Sequence, residues 1–286
     1  MLDTGVRSLS ARPAAGAALR RVRSEVSAGS EGASHAQMAK ALAPTADGTR
    51  AAIEALAALA FGEGVRFGFL GDTGSGKTHL ARAIVALYLA QSPGVVLVVD
   101  DKNPKPQYRG VYRRDRADLA AAPIDEKRDG RVIVLRGEPM RVGGGVDLES
   151  IAELQIMLAK RGRPSLGIYD ELDAAANNGQ WVAGNESSLA WAFGKGRGSG
   201  VSVGWGTQET ESVPRQAFNQ SGVIFAFRMA GNPVRLLKRR GYLLGGAEPV
   251  LPQLGGEPLP PSQRGTFLIL RRGRPWDRQI YKLRAA

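Results

Sequence analysis

The stretch Val65-Arg-Phe-Gly-Phe-Leu-Gly-Asp-Thr-Gly-Ser-Gly-Lys-Thr78 decides how the rest of the chain is interpreted. Residues 65–70 are apolar and predict a short strand, and a helix is predicted from Lys77 onward. Between them lies a complete G-x-x-x-x-G-K-[ST] loop, whose glycines allow backbone amides to surround a phosphate chain at a helix N-terminus. The sequence therefore predicts that a nucleoside triphosphate is bound by Gly71, Asp72, Thr73, Gly74, Ser75, Gly76, Lys77 and Thr78.

A second apolar strand delivers acidic side chains about 90 residues downstream of this loop. It ends in Asp170 and Glu171. Asp170 and the Thr78 hydroxyl are the oxygen ligands expected for Mg²⁺, while Glu171 is expected to orient and polarise an attacking water. Because Glu171 provides for water attack, the pair favours hydrolysis over phosphate transfer to a small substrate.

A third polar strand end falls at Thr207-Gln208. An amide at the tip of a neighbouring strand can sense a γ-phosphate, as glutamines do in other phosphate-loop enzymes. We therefore expect Gln208 to lie at the nucleotide site. Lys77 is expected to reach the β- and γ-phosphates of the same ligand.

Apolar strands alternate with helical segments, which predicts an α/β fold with a mostly parallel central sheet. Further strands are predicted at 95–99, 131–135, 166–169, 201–205, 223–227 and 266–270, and helices at 49–61, 77–90, 147–160 and 187–193. Residues 1–47 are rich in Ala, Ser, Gly and Arg without an aromatic residue, and predict a flexible arm. The remaining residues, 48–286, are assigned to one phosphate-loop domain with a basic C-terminal strand extension.

Composition points to a polyanionic partner. Lys and Arg number 39 against 27 Asp and Glu, a net charge of +12. Residues 228–286 alone carry +9, from 12 basic and 3 acidic residues. This uneven charge favours nucleic acid as the partner. The chain has no Cys, which excludes disulfides and thiolate metal sites, and its apolar runs are too short to span a bilayer.

Taken in order, these motifs resemble the FtsK/HerA superfamily of hexameric DNA-pumping ATPases. The resemblance rests on the phosphate loop, on Val-Asp-Asp-Lys102 after the second strand, on Tyr-Asp-Glu171, and on the Gly-rich approach from Gly196 to Gln208. It runs from about residue 65 to 240 and more weakly to 283. Compact members of this kind include the genome-packaging ATPases of tailless, membrane-containing viruses.

This resemblance implies a RecA-like fold and a ring, expected to be a hexamer, with ATP at its subunit interfaces. Arg197 and Arg235 then become candidates for an arginine finger that acts on a neighbouring subunit. The implied function is ATP-driven translocation of double-stranded DNA for genome packaging. A capsid vertex or a membrane-associated protein is a further expected partner, and the implied location is the cytoplasm or the packaging vertex of a virion.

Other functions are compatible with the same motifs. A nucleotide-switched DNA-binding or loading ATPase would bind ATP tightly with little stimulation by DNA. A hexameric helicase would prefer single strands, and a conjugation or segregation motor would share all of the motifs. The sequence does not distinguish ATP from GTP, and a small-molecule kinase is disfavoured by Glu171 and by the charge.

A translocating ring needs loops that hold a phosphate backbone without reading its sequence. Residues 102–116 combine basic side chains with Tyr108 and Tyr112, and residues 174–186 follow the acidic strand end. Both loops are expected to face the channel. The resulting DNA-contact candidates are Lys105, Arg109, Arg113, Arg114, Asn178 and Trp181.

Overall fold

A computed structural model describes part of the chain, all of it within the unit Leu42–Ala286. The described residues are 46–57, 63–99, 108, 110–113, 131–135, 148–170, 172, 187–229, 232–243, 265–277 and 279–283. Apart from Ala46 and Asp47, the predicted arm lies outside them.

A twisted sheet organises the described residues. In chain order its strands are β1 Ala46–Asp47, β2 Arg66–Leu70, β3 Val95–Val99, β4 Val111–Arg113, β5 Val132–Leu135, β6 Ser165–Tyr169, β7 Val201–Thr207, β8 Val223–Phe227, β9 Thr266–Arg271 and β10 Tyr281–Lys282. Their spatial order is β1-β10-β9-β8-β2-β7-β6-β3-β5-β4. From β8 to β4 every pairing is parallel, whereas β9 runs antiparallel to both β8 and β10. This confirms the predicted α/β fold with a mostly parallel sheet.

Helices cover both faces of the sheet, which is why its central strands β2, β3, β6, β7 and β8 are buried at every position. One face packs against α1 Gly48–Ala57 and α2 Lys77–Gln91. The other packs against α3 Leu148–Lys160, α4 Ser188–Gly194, α5 Arg215–Gln220 and α6 Asn232–Arg239. Each face has its own cluster of buried side chains, so the sheet forms the middle of three layers.

A buried arginine fixes the layers at the amino end of β2. The Arg66 guanidinium donates to Phe193 O at 2.8 Å, Val201 O at 2.8 Å and Ala192 O at 2.5 Å. Two of these carbonyls end α4, where cations are favourable. Burial, and secondarily the charge of Arg197, lower the pKa of Arg66 to about 10. The side chain therefore remains a cation at neutral pH and joins β2 to α4 and β7.

Some elements differ from the sequence prediction. No strand was predicted between 95–99 and 131–135, yet β4 forms there as a three-residue strand beside β5. Helices α5 and α6 were not predicted, because each is short and, unlike α4, has too few apolar residues to show a helical period. The predicted C-terminal strand extension contains β10, and β1, which was not predicted, pairs with the outer side of β10.

Candidate nucleotide-binding site

The phosphate loop lies at the carboxyl ends of the parallel strands, between β2 and α2. Its first residues are held by the neighbouring strands on either side. Gly71 N donates to Thr207 O at 3.3 Å, at the end of β7, and Asp72 N donates to Arg228 O at 3.0 Å, just after β8. The loop is therefore positioned by the two strands that flank β2 in the sheet.

Glycines permit the path of this loop at two contrasting positions. Gly74 has φ +73° and is exposed, and a Cβ there would meet nothing within 4 Å. Gly76 has φ +112°, and a Cβ there would lie 2.9 Å from the Gly265 Cα. The loop is thus open at its tip and tightly packed where it enters α2. A side chain on Gly76 would collide with Gly265.

Lys77 spans the loop. Its side chain is buried, and Nζ donates to Gly71 O at 2.6 Å and to Asp72 O at 3.0 Å. It is also the first residue of the 15-residue helix α2, whose N-terminus favours negative charge. A buried ammonium beside a helix N-terminus and an open glycine tip fits a phosphate chain.

Thr78 and Asp170 meet, although 92 residues separate them in sequence. Thr78 Oγ1 donates to Asp170 Oδ2 at 3.0 Å, and Asp170 directly follows β6. A hydroxyl and a carboxylate in contact beside a phosphate loop are the oxygen donors that Mg²⁺ uses with nucleotides. The donor set present here fits that metal.

Gln208 contacts the loop tip. Strand β7 lies between β2 and β6, so its end falls between the loop and Asp170. Thr73 Oγ1 donates to Gln208 Oε1 at 2.5 Å. The structure therefore brings Thr73, Lys77, Thr78, Asp170 and Gln208 to one edge of the sheet.

The C-terminal part of the chain supports the loop from the side. Gly265 N donates to Ser75 O at 2.8 Å, and Leu283 N donates to Gly265 O at 2.9 Å. The motifs contain no signal for this contact, because it depends on the residues that flank β9 and β10 meeting the phosphate loop.

Arg228 is a second residue that the motif analysis missed. Its Nη1 lies 3.8 Å from Asp72 Oδ2, and its carbonyl accepts the Asp72 amide. The sequence carries no signal for this contact, because it depends on β8 being a neighbour of β2 in the sheet.

The two candidate finger arginines are exposed and are not joined to the loop. Arg197 lies in a 3₁₀ turn, Gly196–Ser199, before β7, and its Nε donates to Gly64 O at 3.2 Å. Seven residues of β7, about 20 Å at the usual rise per residue, separate that turn from Gln208. Arg235 is exposed on α6. Their action on a neighbouring subunit stays a prediction.

Several predicted residues lie outside the described part of the chain. Of Arg113, only the backbone position in β4 is described. Tyr108 is buried, and Arg82 stacks over its ring at 5.9 Å from the centroid, so this tyrosine packs toward α2. The residues not described are Glu171, Lys105, Arg109, Arg114, Asn178 and Trp181.

No protein-family model and no curated protein sequence matches the chain. Solved structures do. The genome packaging NTPase B204 from Sulfolobus turreted icosahedral virus 2, in complex with sulfate, is 16% identical with a TM-score of 0.55, covering 78% of this chain and 98% of B204. The same NTPase with ATP-gammaS is 15% identical with a TM-score of 0.53 and the same coverage.

VirB4 of Thermoanaerobacter pseudethanolicus is 12% identical with a TM-score of 0.50, covering 77% of this chain and 89% of VirB4. At these identities the likeness establishes the fold. The fold is the P-loop NTPase fold that the motif resemblance implied, and a compact viral packaging NTPase is among the proteins that share it. Within the described residues, no helix has the length and apolarity needed to cross a bilayer.

Proposed function

We propose that this protein hydrolyses ATP to translocate double-stranded DNA, as a genome-packaging motor. The observation that carries the proposal is the contact between Thr78 and Asp170 beside a phosphate loop spanned by Lys77. A solved structure of similar fold, a genome packaging NTPase, holds ATP-gammaS. The net charge of +12 supports a polyanionic substrate.

Each residue of the site has a separate task in this proposal. Lys77 neutralises the β- and γ-phosphate oxygens, and Thr78 and Asp170 hold Mg²⁺, which supplies charge stabilisation when bound. Glu171 orients the attacking water. Gln208 senses the γ-phosphate: its hydrogen bond to Thr73 connects the loop tip to the end of β7.

DNA and a ring of subunits complete the proposal. Loops that hold a phosphate backbone would line the channel, with Lys105, Arg109, Arg113, Arg114, Asn178 and Trp181 as candidates. Arg197 or Arg235 would act on the nucleotide of an adjacent subunit, an interaction that increases rates by roughly 10³–10⁵ in related chemistry. The motor would work in the cytoplasm or at a capsid vertex.

Steady-state ATP hydrolysis, measured with and without long duplex DNA, tests this function. We expect stimulation by duplex in the wild type and its loss in Glu171→Gln. Glu63→Gln is the matched control, because Glu63 is an exposed carboxylate just before β2, at the end of the sheet opposite the phosphate loop.

Two results would contradict the proposal. Tight ATP binding with a slow rate that duplex leaves unchanged would indicate a nucleotide-switched binding protein. Stimulation by single strands but not by duplex would indicate a helicase.

A further inference from the structure

A cavity of about 500 Å³ lies away from the phosphate loop, on the face covered by α5 and α6. The segment after β7, the start of α5 and the end of α6 form its walls. The lining residues are Glu211, Val213, Arg215, Leu236, Arg239 and Arg240. Leu236 and Val213 pack into the core, so the cavity has an apolar floor and a charged rim.

The rim has an excess of positive charge. Arg215, Arg239 and Arg240 line the cavity, and Arg272 is close enough to act electrostatically on Arg240. Among the described residues, none of these four arginines forms an ion pair with a carboxylate. The one acidic residue of the described lining, Glu211, offsets only part of the charge of its three arginines, so the rim has a net positive charge.

The Arg240 side chain has a buried donor, Nε, without a hydrogen-bond acceptor among the described residues. Burial, followed by the charges of Arg215, Arg239 and Arg272, lowers the pKa of this side chain. Buried polar groups normally find a partner, and clustered like charges repel each other. An anion in the cavity would satisfy the donor and relieve the repulsion together.

One backbone hydrogen bond and one side-chain hydrogen bond join the segments that carry the cluster. Gly273 N donates to Gly241 O at 3.0 Å, which ties the turn after β9 to the turn after α6. Arg272 Nη1 donates to Asn219 O at 2.6 Å, which ties the same turn to α5. The arginines therefore converge from three separate segments whose relative positions are fixed.

Helix stabilisation explains only part of this arrangement. Arg239 ends α6, where a cation interacts favourably with the helix dipole. Arg215, however, begins α5 and gains nothing from that effect. Convergence of Arg215 with Arg239 and Arg240 on one cavity is better explained by a shared anionic ligand.

We propose that this arginine-lined cavity binds a phosphate of the duplex DNA backbone. Arginine is well suited to the task, since its planar guanidinium donates in pairs to phosphate oxygens. Such a contact holds DNA without reading its sequence, as a translocating protein requires. The inference rests on the proposed function. It adds a DNA contact on the face covered by α5 and α6, in addition to the expected channel loops.

The test is the salt dependence of binding to a fluorescent duplex, measured by anisotropy. Each lost phosphate contact should flatten the slope of log K against log salt by about 0.9. We expect Arg215→Gln/Arg239→Gln, which removes this one phosphate contact, to flatten the slope by about 0.9. Arg215→Lys/Arg239→Lys keeps both charges and should retain most of the slope. Lys160→Gln/Arg161→Gln removes two exposed charges at the far end of α3 and should leave the slope close to that of the wild type.

Circular dichroism establishes that each variant is folded before its slope is compared. An unchanged slope in Arg215→Gln/Arg239→Gln would overturn the cavity as a DNA site and leave the proposed function intact. Equal flattening in the Lys160→Gln/Arg161→Gln control would do the same, because it would show a general charge effect. If the wild type binds no DNA, the proposed function fails and the cavity proposal fails with it.

Discussion

Substitution of Gly265 by Ala tests whether the C-terminal segment supports the phosphate loop. Comparison with a second glycine distinguishes an effect on nucleotide binding from an effect on fold stability. It has φ +82° and donates its amide to Ser75 O in the phosphate loop. An added Cβ would lie 3.1 Å from the Leu283 Cβ. Gly265→Ala therefore strains the backbone and pushes on the residue that packs beside the loop.

The structure allows the two effects to be estimated separately. A non-glycine residue in the left-handed region costs about 1–2 kcal/mol, and overpacking against Leu283 adds about 1 kcal/mol. Gly273 also has a left-handed backbone, with φ +70°, but a Cβ there would meet nothing within 4 Å. Gly273→Ala should therefore lose about 1–2 kcal/mol of unfolding free energy, and Gly265→Ala about 2–3 kcal/mol.

Nucleotide affinity provides the decisive comparison. Weakening the bond to Ser75 O should cost roughly 1 kcal/mol of loop organisation, or about fivefold in the dissociation constant of an ATP analogue. Urea unfolding measures the first quantity and equilibrium titration the second. If Gly265→Ala and Gly273→Ala bind the analogue equally well, the C-terminal segment does not support the phosphate loop and this reasoning is wrong.

Two further predictions concern the ends of the central strands. Arg66→Met should lower the unfolding free energy by about 3–5 kcal/mol, because three buried carbonyls lose their donor. Arg66→Lys should recover part of this loss. A urea midpoint of Arg66→Met equal to that of the wild type would refute the role of this side chain. Gln208→Ala should lower kcat for ATP by on the order of 100-fold, with KM changed far less, if its bond to Thr73 positions the reacting groups. Steady-state kinetics distinguish this positioning role from a role in nucleotide binding alone, for which Gln208→Ala would raise KM and leave kcat unchanged.

The central strands and the phosphate loop could be predicted because their signals are local. Val95–Val99 is apolar at every position, as a strand covered on both faces must be. The loop motif specifies its own backbone path through its glycines. Helix α6 was not predicted: it begins with Asn232-Pro233, and its basic residues leave too few apolar positions in eight residues to show a helical period.

The contacts that surround the loop could not be predicted, because they depend on which strands become neighbours. Arg228 reaches Asp72 only because β8 pairs with β2. Gly265 reaches Ser75 only because β9 returns antiparallel beside β8. The excess of basic residues from 228 onward is visible in the sequence. Its division between a phosphate-loop contact at Arg228 and a cavity at Arg240 required the tertiary fold.

Strand β8 lies in the chain between the arginines on α5 and α6 that line the cavity and ends next to Arg228, which contacts the phosphate loop. At its carboxyl end Arg228 accepts the Asp72 amide through its carbonyl. Before its amino end, Ser221 O and Phe218 O both accept from the Tyr242 hydroxyl at 2.6 Å, two residues beyond Arg240. Strand β8 is fully buried and is hydrogen-bonded to a neighbouring strand on each side. If the cavity holds a DNA phosphate, as we propose, β8 would provide a short physical connection between that phosphate and the phosphate loop, through which duplex would stimulate hydrolysis.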